Sequence, residues 1–297
     1  MTLGLPAAIK TDAFGFRCIV DRYHAAKNGG EHRVGFDCSI CRWIDANLCA
    51  ALGVVVSSLR RSGLEVEAEG SVDNGLHAVV LENKFLQNSL WGKNDCCSDS
   101  PDEFAGRVNL PYCRYDFGES KKFIREYARK LISTNWMPKM TIGVRAKIIE
   151  SLGELFDNAK THSESVSGVH VCGQYIPTSQ KLLFSMADGG IGFRERLLRN
   201  EVEFSGTALE AIQWSIDPLH TAKRTEAPGG LGLKILREFI DMNCGRLLIV
   251  SDVGYWELSQ GRTNGFLLGH PFPGTVISIE VNAADKQSYR LKNEAVS

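Results

Sequence analysis

The stretch ELFDNAKTH, residues 154–162, closes a longer run, TIGVRAKIIESLGELFDNAKTH at 141–162. In that run Ile148, Leu152, Leu155 and Ala159 recur at helical spacing, which predicts an amphipathic helix with one core-facing side. On the other side Glu154, Asn158 and His162 stack at every fourth position, so a carboxylate, an amide oxygen and an imidazole share one row. Taken alone, the row reads as a solvated helix face. The chain downstream supplies reasons to read it as a site.

KLLFSMADGGIGF, 181–193, is predicted to be a strand that ends in Asp188 and runs into Gly189, Gly190 and Gly192. A carboxylate at a strand end can accept a hydrogen bond from an exocyclic amine, and glycines after it let backbone and ligand approach closely. In APGGLGLKILREFI, 227–240, Gly229, Gly230 and Gly232 open a helix whose unpaired N–H groups and positive dipole end favour phosphate. FPGTVISIEV, 272–281, places Gly274 and Thr275 at the head of a β-branched final strand.

The 297 residues, 43% hydrophobic, suffice for one large domain or two ordinary ones, and two are expected. A formal net charge of -1 provides no global field toward nucleic acid or an anionic membrane, so neither is expected as a partner. No apolar run approaches the roughly 18 residues of a membrane span, and MTLGLPAAIKTDAFG lacks the order of a signal peptide. A cytoplasmic protein is the expectation. Nine cysteines, an odd number spread along the chain, predict reduced thiols rather than a disulfide framework. Cys38 and Cys41 form a CxxC without a second pair, which reads as structural rather than as a zinc or redox site.

Upstream, AFGFRCIVDRY (13–23) and HRVGFDCSICRW (32–43) read as strands. IDANLCAALGVVVSSLRRSG (44–63) reads as a helix stopping at Gly63, and LEVEAEG (64–70) as an alternating strand. This β-α-β order implies a small mixed sheet. Turn formers at 92–119 mark an inter-domain region, SKKFIREYARKLIST (120–134) reads as helical, and 285–297 as a polar tail.

In order and context, the four downstream segments resemble the boxes of the GHKL ATPase superfamily, which includes gyrase, MutL, sensor histidine kinases and anti-sigma-factor serine kinases. ELFDNAKTH looks like the N box, DGGIG the first glycine box, GGLGL the second and PGT the closing strand. The resemblance implies an α/β chain of α+β type with a GHKL (Bergerat) two-layer α/β sandwich over 111–284. It also implies ATP and Mg²⁺ as cofactors. Asn158 would be the metal ligand and Glu154 the catalytic acid that polarises an attacking water or hydroxyl. Asp188 would bind the adenine amino group, supported by Thr275 through water, with Gly190 and Gly192 shaping the base pocket. Gly230 and Gly232 would offer amides to the phosphates. Residues 194–228 would form a lid whose Thr221, Lys223 and Arg224 close over the γ-phosphate, while His162 would pack and stabilise the helix end.

HRVGFDCSICRWIDANLCAAL, within 1–110, resembles a STAS-like domain, in which a strand enters a helix through an Asp-Ser pair whose serine is phosphorylated. Here the place reads Asp45, Ala46, Asn47, without the acceptor hydroxyl, although Ser39 lies nearby. Three functions are compatible with these resemblances. The first is a magnesium-dependent, slowly hydrolysing ATP switch of a bacterial-type regulatory system, with a protein partner or a second copy of the chain. The second is a serine/threonine kinase of the anti-sigma type acting on a separate protein, and the third a non-catalytic nucleotide-binding scaffold.

Overall fold

The computed structural model describes residues 1–69, 82–85, 109–200, 204–217, 231–292 and 294. The chain opens with β1 (Thr2–Gly4), β2 (Ala8–Ile9), α1 (Ala13–Asn28), β3 (Arg33–Asp37), β4 (Trp43–Ile44), α2 (Cys49–Arg61) and β5 (Glu65–Glu69). Strands β1, β3 and β5 pair side by side in parallel, and β2 pairs in parallel with β4. The expected mixed sheet is therefore all parallel. Each strand returns through a helix, β1-α1-β3 and β3-α2-β5, and such crossovers lay successive strands in one direction.

Residues 13–23, expected as a strand, lie in helix α1. Their aromatic and β-branched content favours β structure, but Phe16, Ile19, Val20 and Tyr23 are buried at helical spacing. Asp12 caps the helix by accepting the N–H of Gly15 at 2.9 Å. The stripe and the cap outweigh the composition. The 32–43 stretch is a strand only at its two ends, with the Cys41 N–H donating to the Cys38 carbonyl in the turn between.

The chain continues with β6 (Asn109–Tyr115), α3 (Ser120–Phe123), a π-helical turn (Ile124–Ala128), α4 (Arg129–Ile132), β7 (Lys139–Met140) and α5 (Ile142–His162). After these come β8 (Val169–Ile176), β9 (Lys181–Asp188), α6 (Gly192–Asn200), α7 (Ala208–Ile216) and α8 (Leu231–Met242). Strands β10 (Arg246–Ser259), β11 (Arg262–Asn282) and β12 (Ser288–Tyr289) follow. The central sheet runs β10-β11-β9-β8-β6 with every neighbouring pair antiparallel.

Alternation along the strands sends the two faces of this sheet to different cores. Leu182, Phe184 and Met186 of β9 join Ile277 and Ile279 of β11 against Ile148, Leu152 and Leu155 of α5 and Leu236 and Phe239 of α8. The intervening Ala187 and Val276 join Cys172 against Val54 and Val55 of α2 and Phe16 of α1. Helices thus cover both faces of the central sheet, α5 and α8 on one side and α1 and α2 of the N-terminal part on the other, where two layers were expected. Val34 of β3 and Val66 of β5 belong to that same second core, so α1 and α2 lie between the parallel sheet and the central one.

A buried polar chain ties this layer down. The Thr11 hydroxyl donates to Asn47 Oδ1 at 3.0 Å, Asn47 Nδ2 donates to Ser185 Oγ at 2.8 Å, and Ser185 Oγ meets Ser278 Oγ at 2.6 Å. The Ala46 N–H donates to Gln174 Oε1 at 3.0 Å, and Ala46 is fully buried.

The expected tail is partly docked. Strand β12 pairs in parallel with β7, and Tyr289 is buried with its ring 5.2 Å from that of Phe239. The expectation of reduced thiols also needs correction at one position: Cys18, Cys38, Cys41, Cys49, Cys172 and Cys244 are free, but Cys113 is disulfide-bonded. Among the described residues no helix is long and apolar enough to cross a membrane.

Candidate functional site

Helix α5 is the organising element. Thr141 caps its start by accepting the Val144 N–H, and its stripe Ile148, Leu152, Leu155 and Ala159 is buried, as the sequence predicts. The opposite row, Glu154, Asn158 and His162, is half-buried rather than fully solvated. Its two ends meet the two glycine-rich segments, one at Glu154 and one just past His162.

At the Glu154 end, the backbone N–H of Gly232, in the first turn of α8, donates to Glu154 Oε2 at 2.6 Å. A Cβ on Gly232 would lie 2.8 Å from that oxygen and 3.0 Å from the Ser151 Cα, so glycine alone lets α8 approach this closely. Burial raises the Glu154 pKa above the ordinary carboxylate value, and the Gly232 N–H opposes that rise.

At the other end, Ser163 caps the C-terminus of α5 and touches the DGGIG loop from two directions. Its carbonyl accepts the Ile191 N–H at 2.8 Å, and its side chain hydrogen-bonds the Asp188 carboxylate. The Gly190 N–H also donates to Asp188 Oδ1, at 3.0 Å. Burial nevertheless pushes the Asp188 pKa up to about 7, because two hydrogen bonds do not replace the lost hydration of a carboxylate. A Cβ on Gly190 would strike the Ser163 carbonyl, which explains that glycine.

Strand register completes the site. Asp188 of β9 pairs with Thr275 of β11, which pairs with Ser251 of β10. By alternation with Met186, Ile277 and Ile249, all three side chains sit on the α5 face. Thr275 Oγ1 and Ser251 Oγ are 3.0 Å apart, and Ser251 Oγ accepts the Phe193 N–H at 2.9 Å. Gly192 has φ +75° and Gly274 φ +148°, both in the left-handed region, and a Cβ on Gly274 would strike the Asp188 carbonyl.

Of the residues predicted from sequence, Asp188, Gly190, Gly192 and Thr275 lie together at the paired ends of β9 and β11, Glu154 meets Gly232, and Asn158 lies on α5 between the two contacts. Lys223 and Gly230, with Thr221, Arg224 and Gly229, lie outside the described residues. The first part of the expected lid contains helices α6 and α7, the latter opened by a capping box between Thr207 and Glu210. Two contributors escape the sequence reading. Ser163 and Ser251 act through a helix cap and a cross-strand neighbour, and nothing in their local spacing marks either.

Chemically, the site offers a buried carboxyl that titrates near neutrality at one end. At the other it offers a half-buried carboxylate beside a helix N-terminus. Asn158 sits between them, and its amide makes no hydrogen bond among the described residues. The Asn158 amide oxygen is a donor of the kind that hard cations take. Among the described residues no group of three or more His, Cys, Asp or Glu is assembled. No model of a known protein family matches the chain, and a search among curated proteins finds no match.

Proposed function

We propose that this protein binds ATP with Mg²⁺ and hydrolyses it slowly, acting as a nucleotide-gated switch of the GHKL type. The observation that carries the reading is the span of α5. Its Glu154 touches Gly232, its cap Ser163 touches Asp188, and Asn158 lies between them. At about 1.5 Å of rise per residue the two contacts are about 13 Å apart along the helix, on the scale of an extended nucleoside triphosphate.

In this reading the ionised Asp188 accepts the adenine amino group, while Thr275 and Ser251 hold the floor beneath the base. Gly232 presents its N–H to the phosphate chain. Asn158 would hold Mg²⁺ through its amide oxygen, and the metal would supply neutralisation of phosphate charge. Glu154 takes the proton of the attacking water as the water oxygen bonds to the γ-phosphorus and the bridging oxygen leaves with ADP. Its raised pKa makes it a stronger base than an ordinary carboxylate.

The N-terminal, STAS-like part is read as the element that senses the state of the site, since it covers the opposite face of the strands that carry Asp188 and Thr275. Burial of Ala46, with its N–H held by Gln174, weighs against self-phosphorylation at the position where a STAS acceptor serine would stand. Transfer to a hydroxyl of a separate protein would use the same acid and metal.

The test is titration of the full chain with ATP, with and without Mg²⁺, followed by phosphate release from the same sample. Magnesium-dependent binding with release is the expected result. Failure to bind ATP at millimolar concentration would overturn the proposal.

A further inference from the structure

The contact between Glu154 and Gly232 has consequences of its own. An N–H in the first turn of a helix of twelve residues is a natural anion donor, and here it is already taken by an anion of the chain itself, Glu154 Oε2, at 2.6 Å. The close packing of Gly232 on Ser151 and Glu154 fixes that N–H on the carboxylate rather than leaving it open to solvent. Glu154 is half-buried, so its charge is poorly hydrated and holds its donor the more firmly.

Resting on the nucleotide reading above, we infer that Glu154 is an internal latch: in the empty protein its carboxylate occupies the phosphate-binding N–H of Gly232, and an arriving polyphosphate must displace it. The same side chain is therefore occupied when no nucleotide is present and freed when a phosphate chain takes its donor. Binding and readiness for catalysis become one event. The carboxylate leaves the N–H and gains access to the attacking water only once the phosphate has replaced it. A nucleoside without phosphates has no group to compete for the N–H and leaves the latch closed.

The latch makes the wild-type residue oppose polyphosphate binding, which a purely catalytic glutamate beside the γ-phosphate would do only through charge. Two variants separate the effects. Glu154→Gln removes the charge but retains an oxygen that can accept the Gly232 N–H, whereas Glu154→Ala removes both. Calorimetric titration of the full-length wild type and both variants with ATP, inorganic triphosphate and adenosine is the experiment. The latch predicts that Glu154→Ala binds ATP and triphosphate about tenfold more tightly than wild type, the equivalent of about 1.4 kcal/mol. Glu154→Gln should fall between the two, and adenosine should bind all three equally. ATP binding that is equal in all three, or weaker in the variants, would overturn the latch while leaving the nucleotide reading intact. Equal gains for both variants would reduce the effect to charge and also overturn it. No ATP binding by any of the three would remove the nucleotide reading and the latch with it.

Discussion

Asp188 stands directly across from Thr275 in the pairing of β9 with β11, on the face of the central sheet that carries α5. The pairing puts a buried carboxyl and a hydroxyl side by side at the end of two strands, a few residues from two glycines with positive φ. The burial is costly to an ionised carboxylate, and a pKa near 7 is the sign of that cost.

The pH dependence of stability should report it. The folded-state pKa of Asp188, about 7, is raised above the ordinary 3.8, so its stabilising protonation is fully present below about pH 4 and lost as pH rises toward 7. Stability relative to Asp188→Asn should fall by up to about 1.4 kcal/mol per pH unit across that window and level off above it. His170 works in the opposite sense, since burial lowers its pKa to about 3, but it is common to both proteins and cancels in the difference. Urea unfolding of the pair from pH 4.5 to 8 makes the measurement; a constant difference would contradict the assignment.

Adenine recognition should show the reverse slope. An ionised Asp188 is the better acceptor for the exocyclic amine, so ATP affinity should rise as pH increases through about 7. Asp188→Asn should weaken binding at pH 8 by tenfold or more, on the order of one charge-assisted hydrogen bond. Retention of wild-type affinity at pH 8 would place adenine elsewhere.

Gly274→Ala tests the backbone around Asp188. The new Cβ meets the Asp188 carbonyl at a φ that side chains rarely adopt, so a loss of about 2–4 kcal/mol of stability is expected together with loss of ATP binding. Thermal unfolding and nucleotide titration of one preparation report both. Wild-type melting would show that the β9 and β11 ends do not approach as described.

Glu154→Ala and Asn158→Ala should divide the chemistry. The first should abolish phosphate release while ATP still binds, and the second should make binding insensitive to Mg²⁺. Phosphate release at the wild-type rate by Glu154→Ala would remove it from catalysis. Persistent magnesium dependence in Asn158→Ala would assign the metal to another ligand.

The N-terminal layer makes its own prediction. Asn47 is fully buried and bonded to Thr11 on one side and Ser185 on the other, so Asn47→Ala strands both partners and should cost about 1–3 kcal/mol. A single cooperative unfolding transition, shifted as a whole, is expected because both halves of the chain contribute to one core. Two separate transitions would mean that the layer folds independently.

Features that depend on local periodicity are legible along the chain. The stripe Ile148, Leu152, Leu155 and Ala159 is a property of spacing along one helix, and it is buried as read. The β-branched run at 276–281 and the apolar run at 182–187 are strands for the same kind of reason. Residues 13–23 carried an equally local signal, Asp12 followed by Phe16, Ile19, Val20 and Tyr23, which the aromatic and β-branched composition obscured. Which groups meet depends on how the elements pack. Glu154 reaches the Gly232 N–H because α8 packs on α5 at a glycine, Ser163 reaches Asp188 because α5 ends beside β9, and Ser251 enters through the register of a third strand. The covering of the second face of the sheet by α1 and α2 is likewise invisible to spacing, since each strand exposes two apolar faces and the chain alone does not say what will cover them. Local pattern sets where an element forms, whereas helix approach and strand register set which distant side chains share a site.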